Sequence, residues 1–223
     1  MGEWIKLKAR DGHGFDAYKA TPSGKPRGGL VVIQEIFGVN DNIRGYCDRF
    51  AAAGYVALAP ALFDRDKPGI ELGYTAETVA EGRDIRARVG WDGPIMDVEA
   101  SLAALKKDVA KVGVTGYCWG GSLAWVAACR FKPACAVGYY GGQIIQFVDE
   151  TPDCPVILHF GALDKNIPLS DVETIRAKHP DVPIHVYQEA GHGFDCEARG
   201  DFHPASSQLA RERSSAFFKQ HLG

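Results

Sequence analysis

The sequence lacks the long apolar run that a membrane-spanning helix requires. No stretch approaches the roughly 18 consecutive apolar residues of such a helix. The opening residues, MGEWIKLKARDGHG, are charged where a secretory signal would be apolar. Lys6 also stands where an N-myristoylation signal has serine or threonine. These absences argue against a membrane partner, and we expect a cytoplasmic protein.

An excess of positive charge is also absent. The 223 residues include 25 lysines and arginines and 28 aspartates and glutamates, which gives a formal net charge of −3. The basic residues form no stripe of the kind that nucleic-acid-binding proteins present, so we expect no nucleic-acid partner. No internal repeat or low-complexity tract is visible, and the length suits a single α/β domain over residues 1–223.

Cysteines are present, but none of their spacings indicates a redox motif or a zinc site. The six cysteines form no C-x-x-C pair, and they are Cys47, Cys118, Cys129, Cys135, Cys154 and Cys196. Without a secretory signal we expect them to be reduced, most of them as small buried apolar residues. No ligand cluster is visible, and the sequence predicts no metal and no cofactor.

Short apolar runs alternate with longer segments of helical periodicity. Two β-rich runs lie at 5–9 and 15–20, and six runs with continuous valine, isoleucine and leucine content follow at 29–34, 55–60, 111–116, 134–140, 155–160 and 184–189. Continuous apolar composition is typical of strands buried on both faces of a parallel sheet. Asp11 and Gly12, between the first two runs, favour a hairpin turn. The pattern predicts an α/β fold with about eight mostly parallel strands and helices on both faces.

Helices are predicted from apolar spacing and from end signals. They span 41–53, 94–105, 170–178 and 206–221. Pro94 is predicted at a first helical position, and Ser170 with Glu173 is predicted to form a capping box. Segment 64–93 has the least regular pattern, and we interpret it as a lid or cap loop.

The segment GYCWGG at 116–121 has the G-x-C-x-G-G form of a nucleophile elbow. It follows a predicted strand and precedes a predicted helix, which is the context that this turn requires. Its glycines permit a tight turn, and the helix N-terminus behind Cys118 favours a thiolate. The backbone N–H of Trp119 is predicted to be one oxyanion donor. The alternative is a free cysteine buried in a glycine-rich turn.

An elbow nucleophile needs an acid and a histidine, in the chain order nucleophile, acid, histidine. Asp164 directly follows one predicted strand, and His192 lies in a glycine-flanked loop after another. Open α/β sheets gather their sites at such carboxyl ends of strands, so we predict a triad of these two residues with Cys118. The other histidines fit less well. His159 and His185 lie within predicted strands, and His159 in particular is interpreted as a core histidine with satisfied hydrogen bonds.

The loop after the run at 29–34 has a carboxylate in an unusual place. Glu35 and Ile36 directly follow this run. In such an architecture this loop supplies the second oxyanion N–H, here that of Ile36. A negative charge beside a developing oxyanion would oppose catalysis. Glu35 therefore either takes part in the cysteine's chemistry or forms an ordinary ion pair at the end of a strand.

Taken together, the motifs resemble the dienelactone hydrolase (carboxymethylenebutenolidase) family of α/β-hydrolases. The matching segments span nearly the whole chain in order, and they are QEIFGVN (34–40), GYCWGG (116–121), AVGYYG (136–141), Asp164 and EAGHGF (189–194). The resemblance implies an α/β-hydrolase fold and the conversion of dienelactone to maleylacetate, a step of aromatic hydrocarbon catabolism.

The resemblance also implies roles for individual residues. Cys118 would be the nucleophile, assisted by His192 and Asp164. Glu35 would hold the resting cysteine as a neutral thiol until a bound substrate shifts it and leaves an ion pair of Cys118 with His192. The backbone N–H groups of Ile36 and Trp119 would hold the oxyanion.

A cysteine nucleophile restricts the class of substrate. A thiolate attacks readily but is also a good leaving group, so the tetrahedral intermediate collapses forward only when the other leaving group is better. An enol lactone meets this condition because it releases a stabilised enolate, whereas an amide does not. We therefore expect hydrolysis of activated esters or lactones through a thioester intermediate.

The sequence departs from the family pattern where the substrate would be bound. The family holds a substrate carboxylate with two arginines, one of them four residues after the triad histidine, where this chain has Cys196. Arg199 could substitute for it by a different loop path. The other arginine is one of Arg83, Arg86 and Arg88, of which we prefer Arg83, and the alternative for these three is a solvated helix face.

The remaining binding candidates are aromatic. Phe37, Trp91 and Tyr140 are predicted to line the substrate pocket, although each equally fits a core position. The missing arginine leaves a broader carboxylesterase or thioesterase as the alternative function, and a catalytically idle thiol sensor or binding module as a third. We expect a monomer that acts on a small-molecule ester or lactone.

Overall fold

The structure, a computed structural model, describes residues 2–223. Within this range the chain forms eight strands, which are β1 (Glu3–Lys8), β2 (Gly14–Ala20), β3 (Gly28–Ile33), β4 (Tyr55–Pro60), β5 (Val112–Tyr117), β6 (Ala136–Tyr139), β7 (Val156–Gly161) and β8 (Ile184–Tyr187). The α-helices of the same range are α1 (Asp41–Ala52), α2 (Ala76–Val89), α3 (Asp92–Leu105), α4 (Trp119–Arg130), α5 (Leu169–Lys178) and α6 (Pro204–Leu222). Short 3₁₀ helices lie at Leu62–Arg65 and Ile144–Phe147.

Contacts within the chain define two compact units. The N-terminal unit comprises residues 2–113 with Leu222, and the C-terminal unit comprises residues 114–221 with Gly223. The single domain over residues 1–223 stays a prediction.

The N-terminal unit contains four strands in the order β1-β2-β4-β3. β1 and β2 form the predicted antiparallel hairpin, and Gly12 in its turn has a φ of 90°, which favours glycine. β3 and β4 are parallel and buried along their whole length, as their apolar runs predict. The loop after β3 leads to α1, whose first turn is capped by Asn40, the side-chain oxygen of which accepts from the Ile43 N–H at 3.3 Å.

The C-terminal unit contains the parallel neighbours β5, β6, β7 and β8 in that order, with β5 beginning two residues before the unit does. Every residue of β5, β6 and β7 is buried. His159 lies in β7 and is fully buried, with Nδ1 2.9 Å from the Tyr187 hydroxyl and Nε2 3.0 Å from the Ser214 hydroxyl. The prediction of a core histidine with satisfied hydrogen bonds is confirmed.

The predicted fold class is confirmed, since eight strands, mostly parallel, alternate with helices. All six cysteines are free thiols, as expected. Among residues 2–223, no helix has both the length and the apolar content needed to cross a membrane.

Segment 64–93 is more regular than the sequence predicts, because it contains the 14-residue helix α2. Thr75 caps this helix by accepting from the Thr78 N–H at 3.3 Å, and Gly90 ends it with a φ of 63°. Within α2 only Gly82 and Ile85 are buried. A helix with two buried positions has no apolar stripe for periodicity to detect.

Three helix starts also differ from the prediction, and one of them is that of α6, which begins at Pro204 and not at 206. α5 begins at Leu169 after Pro168, so Ser170 is its second residue and not a cap. Pro168 is the N-cap, with a non-helical ψ of 140°, and the helical backbone begins at the next residue. α3 begins at Asp92, which places Pro94 at its third residue and not its first. Proline is tolerated there because the first turn of a helix has no intrahelical acceptor for its N–H groups.

Candidate active site

The turn between β5 and α4 has the geometry of a nucleophile elbow. Cys118 occupies the single position between strand and helix, with φ of 55° and ψ of −118°. This positive φ is rare for a residue with a side chain. A Cβ on Gly116 would collide with the Gly120 carbonyl, and one on Gly121 would lie 2.5 Å from the Tyr139 carbonyl oxygen. The glycines predicted for a tight turn are therefore sterically required.

Backbone hydrogen bonds hold Cys118 in place directly after the carboxyl end of β5. Its backbone N–H donates to the Tyr139 carbonyl at 3.0 Å, and its carbonyl accepts from the Gly121 N–H at 2.9 Å. The residue is partly exposed, whereas Trp119, the first residue of α4, is fully buried. The sulfur is thus not sealed in the core, which the alternative of an inert buried cysteine would require.

Three of the predicted site residues meet in the C-terminal unit. His192, in the loop after β8, has Nε2 3.1 Å from the Cys118 sulfur and Nδ1 2.7 Å from Oδ2 of Asp164. Asp164 follows β7 and is buried, and its Oδ1 accepts from the Asn166 N–H at 2.8 Å. The arrangement places an imidazole against a thiol and a carboxylate against the imidazole, the geometry that nucleophilic catalysis needs.

The charge state of His192 depends on both of its neighbours. Burial by itself disfavours the imidazolium and lowers the pKa of His192. The negative sulfur of Cys118 against Nε2 and the Asp164 carboxylate on Nδ1 outweigh burial and raise the pKa from 6.5 to about 10. The geometry therefore favours the imidazolium form of His192 between the sulfur and the carboxylate.

Aromatic packing fixes the ring of His192. Tyr140 is fully buried, with a φ of 38° that is strained for a residue with a side chain, and its ring centroid lies 5.3 Å from that of His192. Phe194 also packs edge-to-face on Tyr140, with ring centroids 5.4 Å apart. Tyr140 thus contacts His192, and its predicted contact with substrate stays a prediction.

The other predicted residues lie in the N-terminal unit. Glu35, Ile36 and Phe37 follow β3, as predicted, and all three are buried. Arg83 is exposed on α2, and Trp91 is half-buried at the start of α3. Their roles toward Cys118 stay predictions.

A turn of α2 packs tightly against the loop after β3. A Cβ on Gly82 would collide with the Ile36 carbonyl oxygen. The Leu72 N–H donates to the Phe37 carbonyl at 2.8 Å, and the Asn40 side chain donates to the Leu72 carbonyl at 3.1 Å. The segment interpreted as a lid therefore fixes the loop that contains the predicted oxyanion donor of Ile36.

Two residues that support the site were not predicted from the sequence, although each has a recognisable sequence signal. Gly82 is a glycine in the middle of a helix, which costs stability unless a close contact requires it. Asn166 forms an Asp-x-Asn turn in which the Asp164 side chain accepts from the backbone two residues on. Within residues 2–223, no group of three or more histidine, cysteine, aspartate or glutamate side chains is placed to hold a metal ion.

The elbow and the two residues that meet it define the class of α/β-hydrolases. The model of the dienelactone hydrolase family matches residues 15–222. A carboxymethylenebutenolidase of Pseudomonas putida is 32% identical, over 97% of this chain and 96% of its own. A protein of Azospirillum brasilense, provisionally named carboxymethylenebutenolidase, is 36% identical, over 98% of this chain and 99% of its own.

Solved structures agree with this relationship. A crystal structure from Klebsiella pneumoniae, provisionally named a dienelactone hydrolase, has a TM-score of 0.85 and 27% identity and covers 99% of both chains. The chain belongs to the dienelactone hydrolase family of α/β-hydrolases. It is a carboxylic ester hydrolase of the carboxymethylenebutenolidase type.

The raised pKa of His192 leads to a testable titration. We expect the His192 ring to titrate near pH 10, well above 6.5, in NMR spectra recorded against pH. Cys118→Ala should lower this midpoint, because it removes the negative sulfur and leaves the burial that disfavours the imidazolium. Cys154→Ala, a change at a free cysteine outside the triad, is the control and should leave it unchanged. Equal midpoints in wild type and Cys118→Ala would contradict the assignment.

The packing of Gly82 leads to a second prediction. Gly82→Ala should lower kcat/KM on the order of tenfold, because the added methyl group must displace the Ile36 peptide from its position. Gly73→Ala is the matched control in the same segment, since a Cβ there meets no atom within 4 Å. Circular dichroism verifies that both variants are folded. Equal activity of the two would show that the loop after β3 needs no such support.

Proposed function

We propose that the protein hydrolyses activated esters or lactones through an acyl-thioester on Cys118, with His192 and Asp164 completing a catalytic triad. The observation that supports this most directly is the pair of contacts made by His192, at 3.1 Å to the sulfur and 2.7 Å to the carboxylate. Membership of the dienelactone hydrolase family supports the reaction class.

The proposed reaction has two steps, acylation of Cys118 and hydrolysis of the thioester. The Cys118 thiolate attacks the carbonyl carbon and forms a C–S bond, which gives a tetrahedral oxyanion. The carbonyl then re-forms as the C–O bond to the leaving group breaks. The His192 imidazolium gives its proton to the departing oxygen. The neutral imidazole then takes a proton from water, the hydroxide attacks the thioester, and the acid product leaves with the thiolate restored.

The specificity of the enzyme depends on which cation binds a substrate carboxylate. Cys196 stands where the family's arginine is expected, and it is fully buried. In the C-terminal unit the side chain of Arg199 lies against Gly193, where a Cβ would be 2.7 Å from its Nε. We propose Arg199 as the cation beside His192, and Arg83 stays a prediction. The buried Cys196 favours a broader carboxylesterase or thioesterase as the second candidate.

Capture of the intermediate tests the proposal. We expect rapid quenching with cis- or trans-dienelactone, followed by peptide mass spectrometry, to reveal acylation of Cys118 alone. Cys118→Ser should lose most activity because the site's charges suit a thiolate, whereas Cys154→Ser should keep it. Absence of any acyl adduct would favour the idle thiol sensor.

A panel of substrates separates the two enzymatic candidates. Faster turnover of p-nitrophenyl acetate or acyl thioesters than of both dienelactones would favour the broader esterase. The expected preference is for the lactones, because their enolate leaving group lets a thiolate intermediate collapse forward. A monomer without a nucleic-acid or membrane partner stays a prediction.

Glu35 is proposed to shift the resting cysteine toward the neutral thiol, in equilibrium with the ion pair that His192 favours. Glu35→Gln should therefore raise the thiolate absorbance at 240 nm near neutral pH, because it removes a negative charge that opposes the thiolate. Glu71→Gln, at an exposed carboxylate paired with Arg44, is the control. Superimposable titration curves for wild type and Glu35→Gln would exclude this role.

A further inference from the structure

The loop between β8 and α6, at 188–203, contains a buried charge that the proposed reaction does not use. Asp195 lies three residues after His192 and is fully buried, between the equally buried Phe194 and Cys196. A buried carboxylate is costly unless hydrogen bonds and an opposite charge compensate it. The partners of Asp195 therefore identify what this part of the loop depends on.

Arg211 on α6 contacts this loop through three separate nitrogens. Its Nε donates to Oδ1 of Asp195 at 2.7 Å, and its Nη2 donates to the Asp195 backbone carbonyl at 2.8 Å. Its Nη1 donates to the Glu197 carboxylate at 3.0 Å. The guanidinium thus contacts a side chain, a backbone carbonyl and a second carboxylate of the loop at once, which the single ammonium of lysine could not reproduce.

Two further contacts tie the same loop to the start of α6. Ser207, one turn before Arg211, donates its hydroxyl to Oδ1 of Asp195 at 2.6 Å. The His203 N–H, at the cap of α6, donates to the Phe194 carbonyl at 3.1 Å. The segment from His192 to the start of α6 is therefore held together by contacts around the Asp195 carboxylate.

We propose that Asp195 and Arg211 are a positioning pair that holds His192 at bonding distance from Cys118. The inference rests on the proposed function, because the alignment of His192 with Cys118 affects the rate only if the two residues act together in the reaction. Phe194 connects the pair to the site, because it adjoins Asp195 in the chain and packs on Tyr140, whose ring in turn contacts His192. Loss of the pair frees the loop and lets the imidazole move.

Small displacements of a catalytic group have large kinetic effects. A shift of about 1 Å can cost roughly a hundredfold in rate. Arg211→Lys keeps the positive charge and loses the three-way contact, so we expect a partial displacement of the His192 imidazole. The rate of Cys118 acylation should fall on the order of tenfold, with kcat affected more than KM because the change acts on the triad.

The experiment compares Arg211→Lys with Arg130→Lys. Arg130 also forms a two-pronged pair with a carboxylate, Glu150, at 2.8 and 2.6 Å in the same unit, and it lies on α4 at the far end from Cys118. Single-turnover acylation by p-nitrophenyl acetate and the 240 nm titration of the thiolate are measured for both. We expect a slower burst and a shifted titration for Arg211→Lys, with the control like wild type.

Melting temperature and a second variant separate positioning from simple destabilisation. Ser207→Ala removes one hydrogen bond to Asp195 and keeps the ion pair, so it should fold and show a smaller change in the same direction. The proposal is overturned if Arg211→Lys and Ser207→Ala both acylate and titrate like Arg130→Lys, whatever their melting temperatures. Failure of the proposed function is distinct, because wild type itself would then give no acyl adduct on Cys118.

Discussion

The left-handed backbone of Cys118 is the constraint on which the rest of the site depends. A non-glycine residue at φ 55° is strained by about 1 to 3 kcal/mol, so the surrounding structure must compensate. The compensation consists of glycines at 116 and 121, where a Cβ would meet backbone, and of the Tyr139 carbonyl that accepts the Cys118 N–H. Because these contacts come from β5, β6 and α4, the sulfur's position follows from the packing of the unit.

A second constraint is electrostatic and acts on His192. The imidazole is buried enough that its neutral form would be preferred, and only two negative neighbours reverse that preference. The negative sulfur of Cys118 and the Asp164 carboxylate therefore both favour the protonated ring of His192. This arrangement suits the proposed acyl transfer, because attack would remove the negative sulfur, lower the pKa of His192 and make its proton available for the leaving oxygen.

The sequence was sufficient for the residues whose position follows from local patterns. Cys118, Asp164 and His192 each follow a strand, and parallel strands bring such residues to one edge. Helix α2 was missed because packing of only Gly82 and Ile85 leaves no periodic signal. The pairing of Asp195 with Arg211 depends on the path of an irregular loop across 16 residues, which neither propensity nor periodicity encodes.

That path also bears on the substrate. With Asp195 bound to Arg211, the next residue, Cys196, faces the interior and is fully buried. A residue at position 196 therefore cannot reach a substrate in this conformation, and an arginine placed there would have to displace the buried loop. Under the proposed function, recognition of a carboxylate from this side of the site uses Arg199, whose side chain lies along Gly193, next to His192. The buried pair of Asp195 with Arg211 thus accounts for the burial of position 196 and leaves the exposed part of the loop to present a cation.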